Sequence, residues 1–281
     1  MPMPPNLAPR QPATDTEGRT DPRGNRADAS PAASVHERVL ASVAARICTA
    51  TPARDDSPAS CLTMLCDAVV TSDAALDTAF ATLRRVHGLG DEDIVDCYIP
   101  AAACQLGDDW TENRRSFAEV TIGTARLIAA VRRLSERWAA DGVADWRAPS
   151  MAMVVPEAEQ HRLGAMIAAS RFRRLGVSVQ MLLGRPDAEV VACIHDGDFD
   201  FVSFSLATHE RVEQTRRLIH MLRQNVTPLP PIVVGGAVGI SSDEIKAQLG
   251  VDHVASDPEE ALAMCGVSVP KRAAGRARAK T

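Results

Sequence analysis

The chain has 281 residues, 46% of them hydrophobic and 24% charged, which suits an ordinary globular protein of about two domains. Thirty-one Lys and Arg against 36 Asp and Glu leave a net charge of −5, which excludes nucleic-acid binding over the whole surface but not through a local basic patch. Six Phe, three Trp and one Tyr are too few for a base-stacking platform, and no apolar run approaches the roughly 18 residues of a membrane span.

The first residues lack a charged-then-apolar leader pattern, so a cytoplasmic protein with no membrane partner is expected. Residues 1–34 are rich in Pro, Ala, Asp and Arg and almost free of large apolar side chains. Such a segment cannot bury enough surface to offset its ordering entropy, and a disordered tail is expected there. Residues 35–145 read as a helical bundle. Apolar residues recur at helical spacing over Val35–Ile47, Leu62–Val70 and Leu76–Val86, and His87-Gly88 punctuates the end of the third segment. Asp91-Glu92-Asp93 places acids where the next helix begins, favoured by its dipole. That helix is expected to end near Gly107, with a kink at Pro100. Ser116-Phe117-Ala118-Glu119 is a capping box opening a helix to about Ala140.

From Met151 the period changes. Short apolar runs at Met151–Val155, Val177–Leu183, Phe201–Leu206, Ile232–Val234 and His253–Ala255 alternate with helical patterns at 163–175, 188–195, 211–222, 242–249 and 258–265. Five β-α units predict a parallel sheet covered on both faces, a flavodoxin-like domain over residues 149–268. Residues 269–281 form a basic tail with Lys271, Arg272, Arg276, Arg278 and Lys280 and no acid, suited to a solvated end or to a phosphate- or partner-binding one.

Seven cysteines, Cys48, Cys61, Cys66, Cys97, Cys104, Cys193 and Cys265, include no C-x-x-C pair, so no zinc site is expected. Free thiols of this kind serve chiefly as small buried hydrophobes. A redox switch between Cys61-x4-Cys66 and Cys97-x6-Cys104 is the alternative.

In a doubly wound sheet, ligands bind outside the carboxyl ends of the strands. The loop after the first strand holds Glu159, His161 and Gly164. An imidazole there reaches a ligand above the sheet edge, and a carboxylate two residues earlier can orient it. Gly164 lets a bulky group pass close to the backbone. The third strand ends in Ser203-Phe204-Ser205-Leu206, whose hydroxyls suit a buried heterocycle nitrogen, and the fourth in Gly235-Gly236. His209 and His253 also lie near strand ends but in no comparable pattern. Acidic phosphoacceptor residues, a Ser/Thr-rich flavin phosphate loop and a G-x-G-x-x-G fingerprint are all missing from these loops.

Glu159-x-His161-x-x-Gly164, Ser203-x-Ser205-Leu206 and Gly235-Gly236 resemble the signature of methionine-synthase-type cobalamin-binding domains, with Glu159 standing where that family has Asp. The resemblance implies a Rossmann-like B12-binding domain. In it His161 ligates cobalt from below, and the displaced benzimidazole tail lies past the serines and glycines. The adenosyl, methyl or hydroxo form is left open. Residues 58–140 resemble the helical cap of cobalamin photoreceptor regulators. Trp110 and Glu119 match residues over the upper cobalt face, while Val120-Thr121 stand where the cap's Glu-His would follow. Helix-to-helix core packing is the alternative role for Trp110.

Within this group the chain resembles the AerR/PpaA-type antirepressors of purple photosynthetic bacteria. That resemblance implies a light-responsive, non-enzymatic transcription regulator. Its partner would be a PpsR/CrtJ-type repressor of photosystem genes, with DNA contacted directly or through the repressor. A corrinoid shuttle protein of a methyltransferase system and a haem-binding sensor with His161 as axial ligand are the alternatives on the same fold.

Overall fold

The computed structural model describes residues 58–142, 148–157, 162–206, 211–236 and 241–269. The expected first helix at Val35–Ile47, the N-terminal tail and the C-terminal tail beyond Val269 lie outside them, as does Cys48.

The described chain opens with α1 (Pro58–Thr71) and α2 (Asp73–Arg85). α1 buries Cys61, Leu62, Leu65, Cys66 and Val69, one stripe at helical spacing. Ser72 caps α2 by accepting from the Ala75 N–H at 3.1 Å, and Asp73 at its start and Arg84 and Arg85 at its end complement the helix dipole.

The acids Asp91-Glu92-Asp93 do form the first turn of a helix, α3 (Asp91–Asp93). It continues without a break through a π turn, Ile94–Tyr98, into α4 (Ile99–Thr111). The sequence predicts a kink at Pro100. The irregularity lies just before it, where Ile99 N–H donates to the Ile94 carbonyl five residues back. A proline has no N–H and its ring crowds the carbonyl four residues behind, so a wider turn ahead of Pro100 accommodates both. Nor does the helix end at Gly107. A single interior glycine costs only about 1 kcal/mol against alanine, and the helix runs on to Thr111.

α5 (Phe117–Gly142) begins at the expected capping box. Ser116 donates from its backbone N–H and its hydroxyl to Glu119 Oε2 at 2.8 and 2.7 Å, and Glu119 N–H donates back to Ser116 Oγ at 3.3 Å.

The second half alternates β1 (Ser150–Val155), α6 (Arg162–Arg174), β2 (Ser178–Leu183), α7 (Asp187–Asp196), β3 (Phe201–Ser205), α8 (Val212–Asn225), β4 (Ile232–Gly235), α9 (Ser242–Leu249), β5 (His253–Val254) and α10 (Pro258–Met264). All strand pairs are parallel, in the order β2-β1-β3-β4-β5. This is the flavodoxin-like order, whose switch point lies between β1 and β3. Val154, Val202, Phe204, Ile232 and Val234 pack towards one face with residues of α7, α8 and α9. Met151, Met153, Val155, Phe201 and Val233 pack towards the other with residues of α6 and α10.

α6 also joins the two halves. Leu163 belongs to the core of the helical region, and Met166 and Ile167 pack against that core. Ser135 of α5 and Ser170 of α6 share a buried hydrogen bond of 3.0 Å. Asp96, in the π turn, receives two hydrogen bonds from Arg174 Nη2 at 2.7 and 2.5 Å, and the Arg174 guanidinium lies 4.5 Å from the Trp138 ring centre.

Candidate functional site

Strand register explains the central feature of the α6 side of the sheet. Side chains alternate between faces along a strand, and β3 presents Phe201, Ser203 and Ser205 on this side. Met153 pairs with Ser203 and Ser203 with Val233 in one row, while Ser205 pairs with Gly235 in the next. Where core rows would carry large side chains throughout, these two carry Ser203, Ser205 and Gly235. The result is a cavity of about 300 Å³ bounded by α6 and α10 above the sheet. Met153, Ile167, Phe172, Val233 and Ala261 give it apolar walls, and Gly164, Gly235 and Leu206 line it too. The volume is at the lower end of the range for ligand pockets.

Ser203 is buried and Ser205 half-buried. Both line the cavity, and neither hydroxyl has a hydrogen-bond partner among the described residues. Each hydroxyl stands at the cavity wall, where it can donate to an acceptor atom of a ligand. A Cβ on Gly164 would meet no atom within 4 Å, and one on Gly235 only the Ala255 carbonyl at 3.5 Å, so both glycines keep space open. Gly236 has another task. Its φ is +127°, and a Cβ there would overlap the Leu206 carbonyl oxygen, so this glycine is required by the crossing of two backbones. Gly235 O accepts from the Leu206 N–H at 2.9 Å at the same crossing.

The loop from β1 to α6 joins Val155 to Arg162. Glu159 and His161 fall in its undescribed part, as does His209 after β3. His253 lies half-buried on β5. No group of three or more His, Cys, Asp or Glu among the described residues is placed to hold a metal ion.

The other two candidate residues flank the turn from α4 to α5, Trp110 near the end of α4 and Glu119 in the first turn of α5. Trp110 is 49% exposed rather than packed between helices, with Phe117 and Ile122 also exposed. The Trp110 and Phe117 ring centres are 6.1 Å apart. Glu119 is exposed and committed to the capping box, and the hydrogen bonds from Ser116 hold its carboxyl below the usual range.

Beneath this turn lies an ion-pair network that sequence reasoning missed. Asp109 is buried, which by itself raises its pKa. Hydrogen bonds from Gln105, Arg114 and Arg115 outweigh that and leave it below the ordinary carboxylate range. Arg115 reaches on to Asp67 of α1 at 2.6 Å. Asp109 O also accepts from the Arg114 and Arg115 N–H groups at 2.7 and 3.1 Å. The Asp109 residue therefore sets the path of the turn that follows Trp110.

Comparison with known proteins bears directly on the cavity. Residues 149–265 match the B12 binding domain family. An uncharacterized 20.5 kDa protein of the bchF-crtJ intergenic region of Rhodobacter capsulatus is 31% identical over 182 residues, which are 65% of this chain and 94% of that protein. The chain belongs to that protein's family and carries a B12 binding domain. The kinship is consistent with the AerR/PpaA type that its motifs resemble. Among solved structures, the monomethylamine corrinoid protein of Methanosarcina barkeri superposes with a TM-score of 0.60 at 17% identity, covering 75% of this chain and all of that one. The shared fold is a helical region followed by the five-stranded parallel domain.

The residues of the B12 binding domain fit its cofactor, cobalamin. A flat heterocycle would meet apolar walls in the cavity, and the Ser203 and Ser205 hydroxyls would supply donors to a ring nitrogen or ribose oxygen taken out of water. Gly164 and Gly235 leave its approach clear. Among the described residues no helix is long and apolar enough to cross a membrane.

Proposed function

We propose that the protein is a cobalamin-dependent, light-responsive regulator of transcription, an antirepressor acting on a PpsR/CrtJ-type repressor of photosystem and tetrapyrrole genes rather than an enzyme. The observation that carries this reading is the pairing of a B12 binding domain with kinship to a protein of the bchF-crtJ intergenic region. Cobalamin supplies a visible chromophore whose axial bonding can respond to light. The chain supplies the rest. His161 is the proposed lower ligand to cobalt, with Glu159 orienting its ring. Ser203 and Ser205 hold the tail, Leu206, Gly164, Gly235 and Gly236 shape its path, and Trp110 covers the upper side of the corrin. Glu119 acts there through the helix cap that ends the turn after Trp110. Val120 and Thr121 bring no imidazole to that side.

A ligand shifts an equilibrium only through its different affinities for the two states. Loaded and empty forms must therefore differ at a surface the repressor recognises. The basic residues from Lys271 to Lys280 are the proposed contact to DNA or to the repressor, with the steep salt dependence of phosphate binding.

The test is the visible spectrum of the purified protein mixed in the dark with adenosyl- or hydroxocobalamin, desalted, then illuminated. It is paired with release of a PpsR/CrtJ-type repressor from its operator. Retained corrin bands that change on illumination, are lost in His161→Ala and track operator release are expected. A haem Soret band would point to the haem-sensor reading. Transfer of a methyl group from a donor to an acceptor protein would point to a corrinoid shuttle. Either result overturns the proposal.

A further inference from the structure

Arg171 matches no motif, yet it stands where the cavity meets the rest of the molecule. Its side chain lines the cavity. Its Nη2 donates to Glu259 Oε2 of α10 at 2.7 Å. Its Nε lies 4.0 Å from Asp96 Oδ2, the outer limit of an ion pair. Asp96 is itself held by Arg174, and the side chains of both are nearly buried, 10% and 12% exposed. Arg174 stacks on Trp138 of α5, and its Nη1 is buried without a hydrogen-bond partner among the described residues. One side chain thus touches the ligand cavity, the helix that closes it, and the carboxylate that fastens the helical region to α6.

We propose that Arg171 senses the cobalamin tail and transmits its presence to the helical region through Asp96. The inference rests on the cobalamin reading of the cavity. Its physical basis is the change of medium at the cavity wall. With water in the cavity, the Arg171 guanidinium, 29% exposed over its side chain, has its ion pairs screened. A heterocycle that fills the cavity removes that water and lowers the local dielectric, which strengthens the pairs with Glu259 and Asp96. The ligand also occupies the space on the cavity side of the guanidinium and presses it towards Asp96. Both effects tighten the helical region on α6. The π turn that carries Asp96 is a kind of helix irregularity that concentrates at functional sites. By linkage the coupling is reciprocal, so weakening Asp96 must weaken the hold on the tail.

The test compares cobalamin with cobinamide, the corrinoid that lacks the nucleotide tail, on the full chain. Hydrogen exchange of residues 91–111 and Trp fluorescence are read for each. Cobalamin is expected to slow exchange around Ile94–Tyr98 by about tenfold, whereas cobinamide leaves it unchanged. Asp96→Asn and Arg171→Gln are expected to lower cobalamin affinity by about tenfold without changing cobinamide affinity, and Arg171→Lys to restore part of the difference. Equal protection by the two corrinoids would overturn the inference, and so would equal losses of affinity for both in Arg171→Gln. The exchange comparison uses the unaltered protein, so it stands even where a variant folds poorly. If the unaltered protein retains neither corrinoid, the cobalamin reading itself fails, an outcome distinct from the other two.

Discussion

Two glycines in one site have opposite sensitivities at the residue scale. Gly236 leaves no room for a Cβ and has positive φ. Gly236→Ala is therefore expected to destabilise the fold by about 3 kcal/mol, measured by urea unfolding. Gly164 faces open space in a helix. Gly164→Leu is expected to leave the melting temperature unchanged or raise it, since leucine is the better helix former, while abolishing retention of corrin after desalting. A Gly164→Leu protein that kept its cofactor would show that the cavity mouth is not the route of entry. Ser203→Ala with Ser205→Ala should weaken cobalamin binding by about 1 kcal/mol for each hydroxyl, read by equilibrium titration. The thiols give a further check. Burial pushes the Cys66 thiol up to about 12 and that of Cys265 to about 11. Both are expected to resist a thiol reagent at pH 8 until the protein unfolds. The six described cysteines form no disulfide among the described residues, and three of them, Cys61, Cys66 and Cys97, are buried.

At the scale of elements, the sharpest dependence lies at the turn between α4 and α5. Asp109 has its pKa lowered in the folded state, so its contribution to stability is complete above the unfolded carboxylate value of about 4 and is lost as pH falls through the lower folded value. Asp109→Asn is expected to cost about 2 kcal/mol at pH 7 and to flatten the acid limb of stability against pH, followed by circular dichroism. An unchanged acid limb would show that other carboxylates control it. This turn also shows what the sequence made legible. Ser116 and Glu119 announced the start of α5, because a capping box is a local pattern with local hydrogen bonds. Asp109 gave no such sign, because its importance comes from Arg115 and, through it, Asp67 on another helix. The five strands and their helices were readable from hydrophobic period alone, and the Ser203, Ser205 and Gly235 cavity from where those strands end. The π turn was not readable. Ile94–Tyr98 has ordinary helical spacing, and only its position before Pro100 and opposite Arg174 calls for the wider turn. Arg171 stayed hidden for the same reason, since both its acidic partners are more than seventy residues away in sequence.

At the scale of the whole molecule, the helical region and the sheet domain are joined by one helix with two duties. Leu163 and Met166 of α6 pack on the helical side, and Gly164, Ala168 and Arg171 line the cavity. The two parts are therefore not interchangeable modules. Residues 149–281 produced alone would expose the apolar stripe that the helical region covers, and are expected to self-associate in size-exclusion chromatography while the full chain does not. The same sharing limits how the protein can vary through evolution. A substitution on α6 that improves the fit of one side alters the footing of the other, so the cofactor site and the helical region must drift together. A cap borrowed from a distant relative would therefore need the matching face of this helix to go with it.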